Sequence, residues 1–555
     1  MLLSALIVLP LLVVASSVFV FDTELWAHVF ATVLSDYVIN SIVLAASVGI
    51  GTIIVGTYLA YIMVNFEFVG KSMLTWLILL PLAMPAYIIA YTYTGILDFS
   101  GPLQSFLRDT FEWTRADYQF WDVRSLSGAI AMMILVFYPY VYILARTAFA
   151  EQSYSLYKVS QLAGLSRLAH LRKVAFPLAR PAIVTGASLA MMEAFADYGT
   201  VAYFGVSTFS TGIFRTWFGM GNVQGAAQLA SLLCLFVLVL LILEKRGRRD
   251  AAHYVNVSGS ANAAKHVHKV SSFKGLALFV LCLLPAALGF IIPFIQLAIW
   301  SIQFADVGDL GAFTDLVVNT FYLAFLGALI IVAIALLVSY AKRMLPNKIN
   351  QTAEQMLSLG YALPGIVIAV GVLMVAGFFD RQLNAFTMLV FDYRPGLVVS
   401  GGVAILIFAY AVRFVSVALQ NTETGLARIS PKMDSAALSM DGRSERLLRR
   451  IHVPLLSGSL LSALLLVFVD ILKELPATLV LRPFNFNTLA VRAYELASDE
   501  RLIDAALPAI SIVLVALIPV MLLTHQMTKQ SDRSSHKVRP TQPNDTNKGR
   551  SVKYA

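Results

Sequence analysis

Four carboxylates lie where charge is expensive. Glu193 and Asp197 fall in one long apolar run and Asp470 and Glu474 in another, each pair four residues apart. On a continuous helix that spacing puts both members of a pair on one face, about one turn apart. A carboxylate in hydrocarbon is costly, so such residues face a bundle interior or an aqueous path. Hard oxygen donors of this kind suit a hard cation in transit. A structural reading competes with this one. Lys473 stands beside Asp470 and Glu474 and offers a local ion pair, and a buried carboxylate can also serve only to tie helices together.

The two runs are copies of each other. The differences 454−177, 470−193, 474−197, 488−211 and 492−215 all equal 277. One register therefore joins Pro177 to Pro454, both carboxylate pairs, Thr211 to Thr488 and Arg215 to Arg492. The chain is read as a tandem duplication.

Positioning these groups is a task for membrane helices. The chain has 555 residues, 58% hydrophobic and 13% charged, with mean hydropathy +0.76. Twelve apolar runs are expected to span a bilayer. They lie near 1–20, 38–64, 73–96, 127–148, 181–204 and 225–243, then 275–300, 317–340, 358–379, 397–420, 457–480 and 503–524. The first lacks a basic leader and is followed by more membrane, so it is read as a span and not a secretory signal. The predicted fold class is all-α and polytopic, with two six-helix repeats. An even number of spans per repeat makes the two parallel. The expected divisions are repeat one over 1–243, a polar linker over 244–274, repeat two over 275–524 and a disordered tail over 525–555.

With the N-terminus inside, the segments 65–72, 146–180, 244–274, 341–357, 413–456 and 525–555 hold 31 of the 41 Lys and Arg residues. The positive-inside rule then sets both termini on the cytoplasmic side. The same asymmetry accounts for the net charge of +9 without nucleic acid, for which there is no basic domain. Cys234 and Cys282 lie in apolar runs with no metal-ligand spacing, and the linker's His253, His266 and His268 are read as solvated.

No catalytic constellation is found. Val69-Gly70-Lys71-Ser72 resembles the end of a phosphate-cradling loop, but Asn65 occupies the position that requires glycine and no strand precedes it. The informative polar stretches are 151–177 and 430–454. Each has small residues, a turn and a short amphipathic piece, and ends at a proline suited to the first turn of a membrane helix. One per repeat, on one face, they form a candidate docking surface for a two-fold symmetric partner.

These stretches resemble the EAA loop of ABC importer permeases, E-A-A-x3-G-x9-I-x-L-P. The first copy offers Lys158, Val159, Ser160, Gly164 and Pro177; the second offers Ser435, Ala436, Ala437, Asp441, Gly442 and Pro454. The glutamate is lost in both, and the central glycine is displaced by one in the second. Glu193-Ala-Phe-Ala-Asp197-Tyr198-Gly199 and Lys473-Glu474-Leu475-Pro476-Ala477-Thr478 are similar to segments of fused ferric-iron importer permeases of the MetI-like superfamily. The resemblance implies two copies of an ABC ATPase that hold ATP and magnesium and dock on the two loops. It implies a periplasmic iron-binding protein delivering Fe³⁺, with Arg215 and Arg492 as candidate contacts; lipid headgroups are their ordinary alternative. The chain itself then binds no cofactor and no tight metal, and resides in a bacterial inner membrane. Permeases for thiamine, polyamines or inorganic anions share the architecture. A gradient-driven carrier using the four carboxylates is the alternative from another class, but it would have no use for paired docking loops.

Overall fold

The computed structural model describes residues 2–20, 23–152, 154–249, 268–304, 310–358, 360, 363–441 and 444–536. The described residues are almost wholly helical. In the first repeat the helices Leu34–Asn65, Leu126–Glu151 and Phe176–Ala196 pack on one another; Leu310–Met344, Val403–Ala427 and Val453–Leu472 do the same in the second. Lipid supplies no hydrophobic drive between such helices, so close packing must hold them. A Cβ on Gly56 would lie 2.8 Å from the Tyr138 carbonyl oxygen, and one on Gly186 would lie 2.6 Å from the Val141 Cα. Outward, Ile50, Ile54, Leu235, Phe325 and Leu337 are more than half exposed, as a lipid-facing belt requires.

Among the described residues, nine helices are long and apolar enough to cross a membrane. A tenth span is counted if Lys71–Ala83 and Ala86–Phe111, bent by 96°, are taken together, and Leu3–Phe19 and Ala506–Leu522 are shorter apolar helices. Each of the twelve expected runs thus holds a helix, but three of them fall short of a plain span. Pro85 accounts for the bend. The residue before a proline is pushed out of the helical region, and Met84 is extended at ψ 113°.

Two other expectations need correcting. The runs 181–204 and 457–480 are not continuous helices. They begin earlier, within Leu171–Ala196 and Ser444–Leu472, and then break into the short helices Gly199–Tyr203 and Pro476–Leu481. Nor do Pro177 and Pro454 open their spans. Each lies just after one π turn, Leu171–Ala175 or Leu448–His452, within helix that starts before it. A proline has no N–H and its ring crowds the preceding carbonyl; the widened turn absorbs both defects, at positions again 277 apart.

The repeats are interlocked. Helix Leu2–Ser16 packs on Gly365–Phe391 of the second repeat, where a Cβ on Gly371 would stand 2.5 Å from the Pro10 oxygen. Reciprocally, Ile292–Phe304 packs on Ala86–Leu97 of the first repeat, and Trp300 crowds Gly95. The first span of each repeat therefore embraces the other.

The linker and tail also differ from expectation. Helix Val223–Arg249 runs into the linker, and its far end forms a two-residue parallel pair, Phe66–Glu67 with His268–Lys269. His268 is half-buried between the rings of Phe66 and Tyr157, not solvated; His253 and His266 lie outside the described residues. The final helix, Ala506–His536, extends well beyond 525, and the rest of the tail lies outside the described residues.

Candidate functional site

The two interrupted spans end at one place. A cavity of about 110 Å³ is lined by Glu193 and Asp197 from the first repeat and by Asp470 and Glu474 from the second. The four carboxylates named from sequence thus line one cavity, but their local structure differs from the continuous helix expected. Glu193 and Asp470 remain on their helices, whereas Asp197 and Glu474 follow the last helical residues Ala196 and Leu472. Asp197 accepts the N–H of Thr200 at 2.9 Å and of Val201 at 3.3 Å, and the Thr200 hydroxyl at 3.0 Å. Glu474 accepts the N–H of Ala477 at 3.1 Å. Thr200 and Ala477 are themselves 277 apart. The outer carboxylate of each pair therefore satisfies the open N–H groups of the short helix that follows it. That work is structural. The inner pair, Glu193 and Asp470, is left as the better candidate for contact with a passing ion.

Two cations share the cavity, both from the second repeat. Arg413 donates from Nη1 to Glu474 Oε2 at 2.6 Å, with the two side chains 11% and 5% exposed. Lys473 pairs with Asp470 at 2.9 Å, one of the two partners proposed for it from sequence. Gly365 makes room for the arginine: a Cβ there would lie 2.2 Å from Arg413 Nη1 and 2.5 Å from Glu474 Oε1.

Sequence reasoning missed Arg413 by assigning it to a cytoplasmic segment. It belongs to helix Val403–Ala427 and faces the cavity, so one charge moves from the cytoplasmic count into the membrane. The signal was available, since a lone arginine in an apolar run carries the same penalty that marked the carboxylates.

Tyrosines crowd one side of the cavity. Tyr87 and Tyr198 both contact the ring of Tyr494 from the second repeat, at 6.5 and 5.9 Å between centroids. One helical turn beyond Tyr87, Tyr91 meets Tyr203 at 6.5 Å and donates to the Ala505 carbonyl at 3.3 Å. Beyond these, Arg124 lies over the Tyr203 ring and pairs with Glu500 at 3.2 Å. That last pair is exposed and worth little by itself, but it joins loops of the two repeats across the same seam.

The EAA-like loops lie away from the cavity. In the first, helix Tyr154–Leu162 carries Lys158, Val159 and Ser160, and Gly164 makes the turn at φ +74°. Val159 and Leu162 are exposed, while the Ser160 hydroxyl bonds His170 Nδ1 at 2.8 Å, tying the loop to the base of the next span. In the second, helix Pro431–Asp441 exposes Ser435 and Ala436, with Ala437 half-buried; Gly442 lies outside the described residues. Asp434 anchors this copy, accepting from Arg343 Nε at 2.7 Å and bonding His452 Nε2 at 2.8 Å. Burial alone would raise the Asp434 carboxyl, but the bonds and charges of Arg343 and His452 prevail and hold it below its ordinary value. The two loops are thus pinned by different residues at different positions.

Arg215 and Arg492 do not reach the cavity. Arg215 is exposed and lies 3.4 Å from the Ser207 hydroxyl; Arg492 is 3.8 Å from Glu495. The repeat register slips here, since Thr488 caps its helix directly whereas the cap of the first copy is Thr208, three residues before Thr211.

Comparison with known proteins fits this geometry. Over 498 residues the chain is 26% identical to the Fe(3+)-transport system permease protein FbpB 2 of Haemophilus influenzae, covering 88% of this chain and 90% of that one. It is 24% identical over 474 residues to the ferric transport system permease protein FbpB of Actinobacillus pleuropneumoniae, covering 80% and 64%. A putative molybdenum transport system permease of Bacillus subtilis is 26% identical over 215 residues, covering 92% of its own length but only 38% of this chain, as expected of a relative the size of one repeat. Residues 52–245 match the family described as binding-protein-dependent transport system inner membrane component. Residues 52–245 thus carry the domain of the binding-protein-dependent transport permeases, and the chain is similar to ferric transport permeases along most of its length.

Proposed function

We propose that the chain is the membrane subunit of an ATP-driven importer that passes Fe³⁺ across a bacterial inner membrane through the cavity between its repeats. The reading rests on one observation above all. Two carboxylate pairs, 277 residues apart in sequence, line a single cavity, in a chain whose long relatives are named as ferric transport permeases. The EAA-like loops, with Lys158, Val159, Ser160, Gly164 and Pro177 in one and Ser435, Ala436, Ala437, Asp441, Gly442 and Pro454 in the other, take one ATPase subunit each. Those subunits hold ATP and Mg²⁺. A periplasmic binding protein delivers the ion to the opposite face, near Arg215 and Arg492, and both termini are cytoplasmic.

Glu193 and Asp470 are the transit contacts, weak enough for the ion to leave. The tyrosines and the Arg124–Glu500 pair close the path on the delivery side until the ATPase drives the loops together.

The test is ATP-dependent uptake of labelled Fe³⁺ into vesicles holding the chain with its co-expressed partner subunits. Glu193→Gln is expected to abolish uptake while ATPase subunits still co-purify. Glu474→Gln is the poorer probe, because that side chain also holds Arg413 and a helix end. Uptake that runs on a proton gradient without ATP would refute the reading in favour of a gradient-driven carrier. Absence of iron uptake in the wild-type assembly would remove iron as the substrate.

A further inference from the structure

The 277-residue register reaches the residues beneath the EAA-like loops and exposes a substitution there. In the second repeat the loop is held by ions: Arg343, at the end of helix Leu310–Met344, bonds Asp434 at 2.7 Å, and Asp434 bonds His452 at 2.8 Å. The differences 343−66, 434−157 and 452−175 all equal 277, so the same places in the first repeat hold Phe66, Tyr157 and Ala175. No ion pair can form among those three. A ring from the linker stands with them instead. The His268 ring lies 6.1 Å from that of Phe66 and 5.7 Å from that of Tyr157, centroid to centroid, within the range of aromatic contact. Tyr157 in turn meets His170 edge-on at 5.1 Å, and His170 bonds Ser160 of the same loop.

The backbone holds His268 in that place as well. It pairs with Phe66, and Lys269 with Glu67, as parallel strands, and the Val270 N–H reaches the Glu67 carbonyl at 3.4 Å. Four residues beyond His268 the first span of the second repeat begins, Ser272–Ile302. It packs along Lys71–Leu77, where the Phe279 ring fills the space beside Gly70, and then along Ala86–Leu97. Ala86 and Tyr87 of that last helix line the cavity. The chain through His268 thus touches the first loop at one end and a cavity helix at the other.

We propose that His268 is a positioning residue of the importer. Acting through Tyr157, it seats the first EAA-like loop, in the place that the Arg343–Asp434 pair takes in the second repeat. The linker is then part of the coupling apparatus and not only a tether between repeats. The two seats are unequal. A largely buried, charge-assisted pair holds its loop harder than ring contacts do, so the first loop is the softer of the two and the one the linker controls. The role in coupling rests on the reading that the loops take ATPase subunits; the seating itself is measured without them.

The test is hydrogen exchange of the full chain in nanodiscs of zwitterionic lipid. In His268→Ala, exchange over helix Tyr154–Leu162 should quicken by about threefold or more, the factor that one or two lost ring contacts give, while Pro431–Asp441 keeps its wild-type rate. His268→Phe should restore the first loop, because a ring is what the seat requires. Phe66→Arg with Tyr157→Asp, placed on His268→Ala, should do the same by installing the ion pair of the second repeat. Should that triple variant fail to fold, His268→Phe decides. With co-expressed ATPase subunits, His268→Ala should still bind them and support ATP hydrolysis but move about threefold less labelled Fe³⁺ per ATP, and His268→Phe should recover the ratio. An unchanged rate over Tyr154–Leu162, an equal quickening of both loops, or an unchanged ratio of uptake to hydrolysis would each overturn the proposal. Exchange that responds as expected, in a wild-type chain that binds no ATPase subunit, would retain the seat and remove the importer reading.

Discussion

Replacing Arg413 with methionine tests how deeply the cavity charges are buried. Methionine preserves much of the volume and packing but leaves Glu474 without the guanidinium 2.6 Å away. Were the pair at the surface, its loss would matter by about 1 kcal/mol or less. At 11% and 5% exposure it belongs to the buried class, where removing one partner costs about 3–5 kcal/mol because the other charge is stranded. Glu474 keeps its bond from the Ala477 N–H, which places the expected loss at the lower end, about 3 kcal/mol. Reversible unfolding of the full chain by denaturing detergent in mixed micelles would measure it. The double variant Arg413→Met with Glu474→Gln should recover much of the loss, since no stranded charge remains. A single variant within about 0.5 kcal/mol of wild type, the range typical of surface changes, would refute the argument and mean that water reaches Glu474 freely.

Three other outcomes follow from the same geometry. Gly365→Ala should disrupt this pair without touching either partner, because the new methyl would meet Arg413 Nη1 and Glu474 Oε1 at 2.2 and 2.5 Å; its unfolding free energy should fall nearly as far as that of Arg413→Met. Asp434→Ala should release the second EAA-like loop from Arg343 and His452 at a loss of about 2 kcal/mol or more, as for hydrogen bonds to charged groups, seen as protease cleavage near 430–441 while the membrane helices remain intact. Burial lowers the His170 pKa from its ordinary 6.5, so its contribution is full above pH 6.5 and is lost as the pH falls through the folded value. Hydrogen exchange in residues 154–170 should therefore quicken, beyond its intrinsic pH trend, on acidification below that point, and His170→Gln should remove the dependence.

Hydropathy made the positions of most helices legible, because a bilayer demands long apolar runs whatever the tertiary contacts. The duplication was equally legible, and through it the convergence of Glu193, Asp197, Asp470 and Glu474. The helix ends at Ala196 and Leu472 were not. The carboxylates beside them read as charges within a continuing span, and the break is stabilised by a carboxylate bonding backbone N–H groups three or four residues ahead, a local choice that periodicity does not record. The π turns before Pro177 and Pro454 escaped for the opposite reason: a proline at an apolar boundary looks like a start. The Arg343–Asp434–His452 cluster joins residues nearly a hundred positions apart with no counterpart in the first repeat, so neither motif nor register marked it. Tyr87 carries no sequence signal at all, since one more aromatic in a membrane helix is ordinary until its hydroxyl is found without a hydrogen-bond partner among the described residues.

The mutual embrace of the first spans has a consequence for how the protein is made. Leu2–Ser16 leaves the ribosome well before one surface it packs on, Gly365–Phe391, which is more than 300 residues downstream. At ordinary synthesis rates that is a delay on the order of tens of seconds, during which the helix has only Val223–Arg249 of its own repeat to pack on. Ile292–Phe304 has no such wait, because Ala86–Leu97 is already in place when it arrives. A late act of assembly is therefore the docking of Leu2–Ser16 onto the second repeat. Fusion into one chain guarantees that both arrive in the same membrane in equal number, and a ribosome that stops after the first repeat leaves helix Leu2–Ser16 with only Val223–Arg249 of its own repeat to hold.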